Sequence, residues 1–459
     1  MKTNWTCALL SSILLAVPLS ACGTDSEPAA AGSSPEAAGG KTTVTVSVLN
    51  SDAFLQNAER LFEEAHPNID IEIRAYTVTP ASNTRMMNKT PGAEPDNSAD
   101  IEKFRTGVNT ELMSGKGSDL IALEHLPYAK YADKKLLAPL DPWIGKGLNP
   151  QEYYTGVFDA LKLEGKSYAL PVHFKSNLTL GNGPLLDGSG IKVDDASWTW
   201  QQMMEMGQSL VQSGAATSIW TGVKQANLLA DMVESEYGSL VQGKKAAFNT
   251  PQFISLLEMV RGMYGQGLIL EQAAMSNDSK DIFRSAELGS ATELLTLPQM
   301  AYGGKAQIYN TPSDGGGNGG FAFSSDLLFG MNEKSKHKDE AWQFLQFLLS
   351  ETVQTLPAIG GIPVHKASLD VQLRKTIEQL SSGRLKLRGP NGAAPSTAVS
   401  EEQLKEMVAL MGKANRYAAG DPNVMKIVKE ELAAFVNEGK SVQATASMIQ
   451  NRVETYLNE

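Results

Sequence analysis

Cys22 sits where a thiol can be converted into a membrane anchor. It closes Leu19-Ser20-Ala21-Cys22 behind an apolar stretch that begins at Cys7. Small residues before the cysteine admit a peptidase that cuts at Cys22 once its sulfur carries a diacylglycerol, and the freed amino group can take a further acyl chain. Lys2 supplies a positive start, and Ala8 to Leu19 is an apolar run of secretory length, too short to span a bilayer. Two or more acyl chains, at ~0.8 kcal/mol per buried methylene, hold a soluble domain on a membrane. Cys7 leaves with the signal peptide, residues 1–21, so the mature domain has neither a disulfide nor a thiolate metal site.

Catalytic constellations are absent from the rest of the chain. His66, His125, His173, His337 and His365 show no His-x-x-x-His spacing or Glu-flanked metal motif, and no Gly-x-Ser-x-Gly elbow marks a nucleophile. The run Gly315-Gly316-Gly317-Asn318-Gly319-Gly320 lacks the Lys-Ser/Thr pair of a phosphate loop and leads into the strand-like Phe321-Ala322-Phe323. Carboxylate pairs of the glycosidase kind come from distant positions and leave no local signature. The expectation is a binding protein rather than an enzyme, with no cofactor and no metal.

The elements that must carry such a site read as α/β. Val44, Val46 and Val48 alternate with polar residues as a strand that ends at Leu49-Asn50. Phe54, Leu55, Ala58, Leu61, Phe62 and Ala65 recur at helical spacing behind the capping residue Asp52, and Pro67 stops the pattern. Ile69, Ile71 and Ile73 alternate again, completing a right-handed βαβ unit with parallel strands. Thr77 to Asp100 is a polar loop of a length that usually serves function. A helix through Phe104, Val108 and Leu112 precedes the short strand Leu120 to Leu123. Ligands of open α/β sheets bind beyond the carboxyl ends of strands, which puts Asn50, Asp52, Glu124 and His125 at a cleft. Each has a second reading, as a helix cap or a solvated loop charge.

Residues 22–43 are Gly, Ala, Ser, Pro and acidic residues for most of their length, too poor in apolar area to fold, and read as a flexible tether. About 415 residues beyond it exceed one hydrophobic core and predict two lobes. The formal net charge of −11 becomes −12 when residues 1–21, whose only charge is Lys2, are removed. That excess argues against nucleic-acid and anionic-lipid binding through charge.

Six segments, spread from the first strand to the last helix, resemble family 1 extracellular solute-binding proteins of ABC importers, the maltose-binding-protein-like group. They are FEEAHPNIDIEI from Phe62, SGKGSDLIALEHLPYAKYADKKLLAPL from Ser114, GKSYALPVHF from Gly165, HKDEAWQFLQFLLSETVQ from His337, GGIPVHKAS from Gly360, and GKSVQATASMIQNRVETYLNE from Gly439. Leu19 to Cys22 in turn resembles the lipobox of bacterial lipoproteins. The resemblance implies a two-lobed periplasmic-binding-protein-like fold with discontinuous lobes around a central cleft and hinge crossings. Carried over, residues 44–170 and 311–362 make lobe one, and 171–310 and 363–459 make lobe two. Crossings then run near Tyr168 to Leu180, Ile308 to Pro312 and Gly361 to Lys366.

In that geometry His173 and Phe174 line the cleft floor and Tyr309 sits at the second crossing, beside the glycine run with Asn318. Glu293, after a strand-like Gly289 to Thr292, faces the ligand. Trp220 has two readings, a ring covering the apolar side of a sugar or a ring packed beneath the helix from Gln225. Two departures reduce the expected aromatic surface: Gly181-Asn182-Gly183 replaces an aromatic-Asn pair, and Thr292-Glu293-Leu294 replaces a Gly-x-Trp. The implied ligand is a sugar or oligosaccharide. The implied partners are the transmembrane subunits of an ABC permease and, through Cys22, the outer face of the cell membrane; the protein acts as a monomer. Two other readings stay open: a sensory or scaffold lipoprotein that imports nothing, and a non-sugar solute such as a peptide, polyamine or glycerol phosphate. An acid cleft around Glu124 and Glu293 would favour a cation.

Overall fold

Alternating valines and isoleucines become the edge of a twisted sheet. In the computed structural model, which describes residues 40–77, 98–272, 280–314, 320–357, 359–386, 399–418 and 420–459, strand Thr42–Val48 pairs in parallel with Ile69–Ala75, Val44 opposite Ile71 and Val46 opposite Ile73. Between them, helix Ala53–Ala65 is capped by Asp52, whose carboxylate accepts from the Leu55 N–H at 2.9 Å. Its buried face, Phe54, Leu55, Ala58 and Phe62, meets helix Lys338–Leu348, the Phe62 ring lying 5.1 Å from Phe344 and 5.4 Å from Phe347. Aromatic rings buried edge to face in this way stabilise by about 0.5–1.5 kcal/mol beyond their area.

The first sheet has five strands in the order Ile69–Ala75, Thr42–Val48, Leu120–Ala122, Leu328–Met331, Leu170–Pro171. The second is built around the ten-residue strand His173–Asn182, which pairs antiparallel with Asp281–Leu288, Phe321–Ser324, Ala306–Asn310 and Ile362–Pro363. Two large hydrophobic cores and a small cluster of Leu180, Ala286 and Ala301 accompany them. One gathers residues from Val44 to Leu178, from Leu288 to Leu295 and from Phe321 to Ala414. The other gathers Leu186 to Phe283 with Val424 to Val453.

Chain passages between the sheets lie side by side. Pro171 ends a strand of the first sheet and His173 starts one of the second; Ser324 ends a strand of the second and Leu328 starts one of the first. The expected crossing at Ile308 to Pro312 begins in a strand of the second sheet and precedes the first-core residues Phe321 and Phe323. Strand Ala306–Asn310 pairs with Leu178 to Asn182 inside the second sheet, because its register with that long strand satisfies its backbone there. The C-terminal helix, capped by Ser441 on the Ala444 N–H at 3.2 Å, buries Val442, Ala446, Ile449 and Val453 in the second core. Among the described residues no helix is long and apolar enough to cross a membrane.

Candidate ligand cleft

Charges collect where the passages meet the strand ends. Asp326 lies in the turn between Phe321–Ser324 and Leu328–Met331, and Ser325 fixes that turn by donating to the His173 carbonyl at 2.7 Å. The register that places Ser324 opposite Lys175 brings Asp326 Oδ2 to 2.8 Å from Lys175 Nζ. Asp326 Oδ1 stands 3.4 Å from His173 Nδ1, and Lys175 Nζ is 3.9 Å from Glu287 on strand Asp281–Leu288. Burial works to raise the Asp326 carboxyl, but His173 and Lys175 outweigh it and hold the group below its ordinary value. Burial pulls His173 down toward the neutral imidazole, with Asp326 opposing. Lys175 ends up raised, since Asp326, Glu287 and Glu293 overcome its own desolvation.

Two other carboxyls are raised rather than lowered. Glu124 follows the buried strand Leu120–Ala122; the Leu328 N–H donates to its carboxyl, while its Oε2 is buried with no hydrogen-bond partner. Burial, reinforced by Asp326, pushes its pKa up to about 8. Asp231, on helix Gln225–Ser235, is exposed. Desolvation and then Glu234 push it up to about 7, with Lys429 opposing and Glu287 close enough to add. His125 is pulled down by burial and then by Arg105. Tyr417, half-buried on strand Ala414–Tyr417, is raised by burial and then by Tyr128, Glu124 and Glu234.

One rim is tied across. Arg105 of helix Ser98–Ser114 donates to Asn423 Oδ1 at 2.7 Å, Lys426 pairs with Glu102 at 3.3 Å, and Lys130 donates to the Tyr456 carbonyl at 3.0 Å. These contacts run from helices of the first core to helices of the second.

A two-cored α/β chain with its polar groups at strand ends beside the passages is the arrangement of a receptor that closes on a solute. Residues 48–355 match the model of the bacterial extracellular solute-binding protein family. The chain belongs to this family. A putative binding protein of Brucella abortus is 21% identical over 277 residues, covering 56% of this chain and 65% of that protein. The sn-glycerol-3-phosphate-binding periplasmic protein UgpB of Agrobacterium fabrum is 25% identical over 245 residues, 49% of this chain and 55% of its own. The chain thus spans less than two thirds of the length of either relative. The structure of the sugar-binding protein MalE from Xanthomonas citri superposes with a TM-score of 0.58 at 17% identity, covering 91% of this chain and 98% of that one. The fold is therefore that of the two-lobed solute-binding proteins.

Within this solute-binding protein the candidate residues divide. Glu124, His125 and His173 come together around Asp326, which acts electrostatically on all three. Asn50 and Asp52 lie exposed at the end of the first strand; Asp52 caps its helix and also acts on His173. Trp220 does not face the cleft: it is 1% exposed, stacked 6.2 Å from Trp200 and 6.4 Å from Phe283 in the second core. Both faces of its strand are covered, so the ring has no route to solvent. Phe174 is likewise fully buried, between Tyr154 and Phe323.

Gly289 to Thr292 is not a strand. Ser290 caps helix Ala291–Met300, and Glu293 in its first turn accepts from the Gly289 N–H at 2.8 Å. Tyr309 packs on Trp198 and Phe283 and donates to Gln307. Asn318, Cys22 and the signal peptide lie outside the described residues. Sequence reasoning missed Lys175, Asp326, Asp231 and Tyr417. A signal for two of them existed: Lys175 follows His173 by two, on the same face of a strand, and Asp326 is the lone charge between two apolar runs.

Proposed function

We propose that this chain is the substrate receptor of an ABC importer, binding a sugar or oligosaccharide between its lobes and delivering it to the permease's transmembrane subunits. The observation that carries this reading is the polar cluster of His173, Lys175 and Asp326 beside Glu124, whose Oε2 has no partner. Carboxyl groups hydrogen-bond sugar hydroxyls, and tyrosine rings cover the apolar side of a pyranose. The likeness to a sugar-binding protein supports it. Closure is favoured by a ligand that touches both lobes, since only such a ligand has more affinity for the closed state than for the open one. The hinge falls where the chain leaves one core for the other, between Leu178 and Leu186 and between Phe283 and Leu288. The protein acts as a monomer and as a receptor without catalysis, and the lipid on Cys22 keeps it at high local concentration beside its permease.

A phosphate ester is the second reading, favoured by the likeness to a glycerol-3-phosphate-binding protein and by Lys175. That lysine is committed to Asp326 at 2.8 Å, and Glu124 Oε2 stands buried without a partner. Titration calorimetry against a saccharide panel and sn-glycerol 3-phosphate tests the pair. Saccharide binding is expected; no heat from any saccharide ends the carbohydrate reading, and binding of the phosphate ester alone establishes the second. Cys22→Ala is expected to release the protein from membranes with its ligand binding intact. A loss of binding would refute the division between anchor and receptor.

A further inference from the structure

Polar contacts between the two cores converge on one hub. Asn423 opens helix Pro422–Asn437: its N–H donates to the capping carboxylate of Asp421 at 2.8 Å, and its Nδ2 donates to the Tyr456 hydroxyl at 2.9 Å. That hydroxyl in turn donates to Asp421 Oδ2 at 3.0 Å. Helices Pro422–Asn437 and Val442–Asn458 both pack in the second core, so these bonds fix the hub without help from the first. The first core then reaches it. Arg105 Nη1 donates to Asn423 Oδ1 at 2.7 Å, and Lys130 Nζ lies 4.1 Å from the centre of the Tyr456 ring while donating to its carbonyl at 3.0 Å. Tyr456 is in the last turn of its helix, so one ammonium meets both an aromatic face and the negative end of the helix dipole. One turn on from Asn423, Lys426 reaches back to Glu102 at 3.3 Å, which Arg105 also touches at 3.1 Å.

These contacts differ in strength. The Arg105 side chain is only 12% exposed, so its bond to Asn423 is largely shielded from water and salt. Lys426 and Glu102 are both exposed, and their pair adds little. Arg105 and Lys130 on the Asn423–Tyr456 hub are therefore what holds the rim.

We propose that these residues form a latch that holds the receptor closed while it is empty. The inference rests on the receptor reading and is independent of which solute binds. Every partner in the latch belongs to the chain itself, so its contacts stabilise the closed form with and without solute alike. Where both the empty and the filled protein are mostly closed, that common factor cancels in the affinity. It remains in the rates, because a solute can neither enter nor leave until Arg105 and Lys130 part from the hub. A solute that bridges the lobes adds to closure rather than causing it.

Spin-label distance measurements on the unliganded mature chain test this. Labels at Thr110→Cys and Asn437→Cys, exposed positions on a helix of each core, report the separation, with Cys22→Ala leaving no other thiol. With the latch intact, a single narrow, short distance is expected. Arg105→Ala combined with Lys130→Met is expected to raise the long-distance population at least ~tenfold, the factor that losing one hydrogen bond to a charged group corresponds to. Tyr456→Phe keeps the ring beneath Lys130, frees Asn423 and Asp421 of the hydroxyl, and is expected to shift the population the same way by less. Arg374→Ala cuts exposed pairs to Asp370 and Glu401 away from the latch and is expected to leave the distance unchanged. A long or broad distance with the latch intact, no shift in the double variant, or an equal shift with Arg374→Ala would each overturn the inference. All three outcomes leave the receptor reading standing, since that reading fails by a different result, the absence of any binding heat.

Discussion

Replacing Glu124 with glutamine makes a stability prediction independent of any ligand. A carboxyl whose pKa rises on folding binds its proton more tightly in the native state than in the unfolded one. Stability is then full below the unfolded value of 4.5, falls as pH rises from 4.5 to about 8, and stays at its lower level above that. At 1.36 kcal/mol per pH unit, the rise from 4.5 to about 8 corresponds to about 5 kcal/mol. Glu124→Gln keeps the shape and removes the charge. The difference in unfolding free energy between variant and wild type is expected to grow from near zero at pH 5 to several kcal/mol in the variant's favour at pH 9. Urea unfolding at unit pH steps measures it. Taking the difference cancels His125 and His173, whose lowered values cost stability only as pH falls below 6.5 and do so in both proteins. Asp231 has an exposed tip and contributes far less through screening. Parallel pH profiles for the two proteins would refute the claim that Glu124 is an unpaired buried acid.

Other perturbations separate packing from binding. Trp220→Ala opens a cavity in the second core and is expected to lower stability by about 3–5 kcal/mol, read by thermal denaturation; unchanged melting with lost ligand binding would return the ring to the cleft. Gly361→Ala sets a methyl group against the His173 ring and is expected to cost about 1–3 kcal/mol, because the ring is walled in by Phe54 and the Asp326 turn. Arg105→Ala cuts the contact to Asn423 at the rim, so the unliganded protein is expected to scatter X-rays with a larger radius of gyration; identical radii would show that the rim contacts do not restrain the lobes.

Local chemistry explains which parts of this molecule its sequence reveals. Alternation at Val44 to Val48 and Ile69 to Ile73 gave the βαβ start because a half-buried strand has no other way to arrange its side chains. The Asp52, Thr199 and Ser441 caps were readable because a cap acts within three residues; Thr199 and Gln202 form both bonds of a capping box. The same signature was present and unread at Ser290 and Glu293, where Gly289 to Thr292 reads as strand-like. Trp220 was ambiguous for a different reason. A residue on a strand covered on both faces looks the same in sequence whichever side it packs on.

The cleft was least legible because its pairs are made by register. Lys175 and Asp326 are brought together by one antiparallel ladder in which Ser324 stands opposite Lys175, and no local pattern fixes that register. Net charge shows the same limit. The excess of acids read as a property of the whole surface, a matter of solubility. Folding encloses part of that excess: Glu124 Oε2 ends up buried without a partner, and burial raises its pKa. A charge that costs little on an open surface costs far more where the fold encloses it, and no count of acids shows which of them will be enclosed.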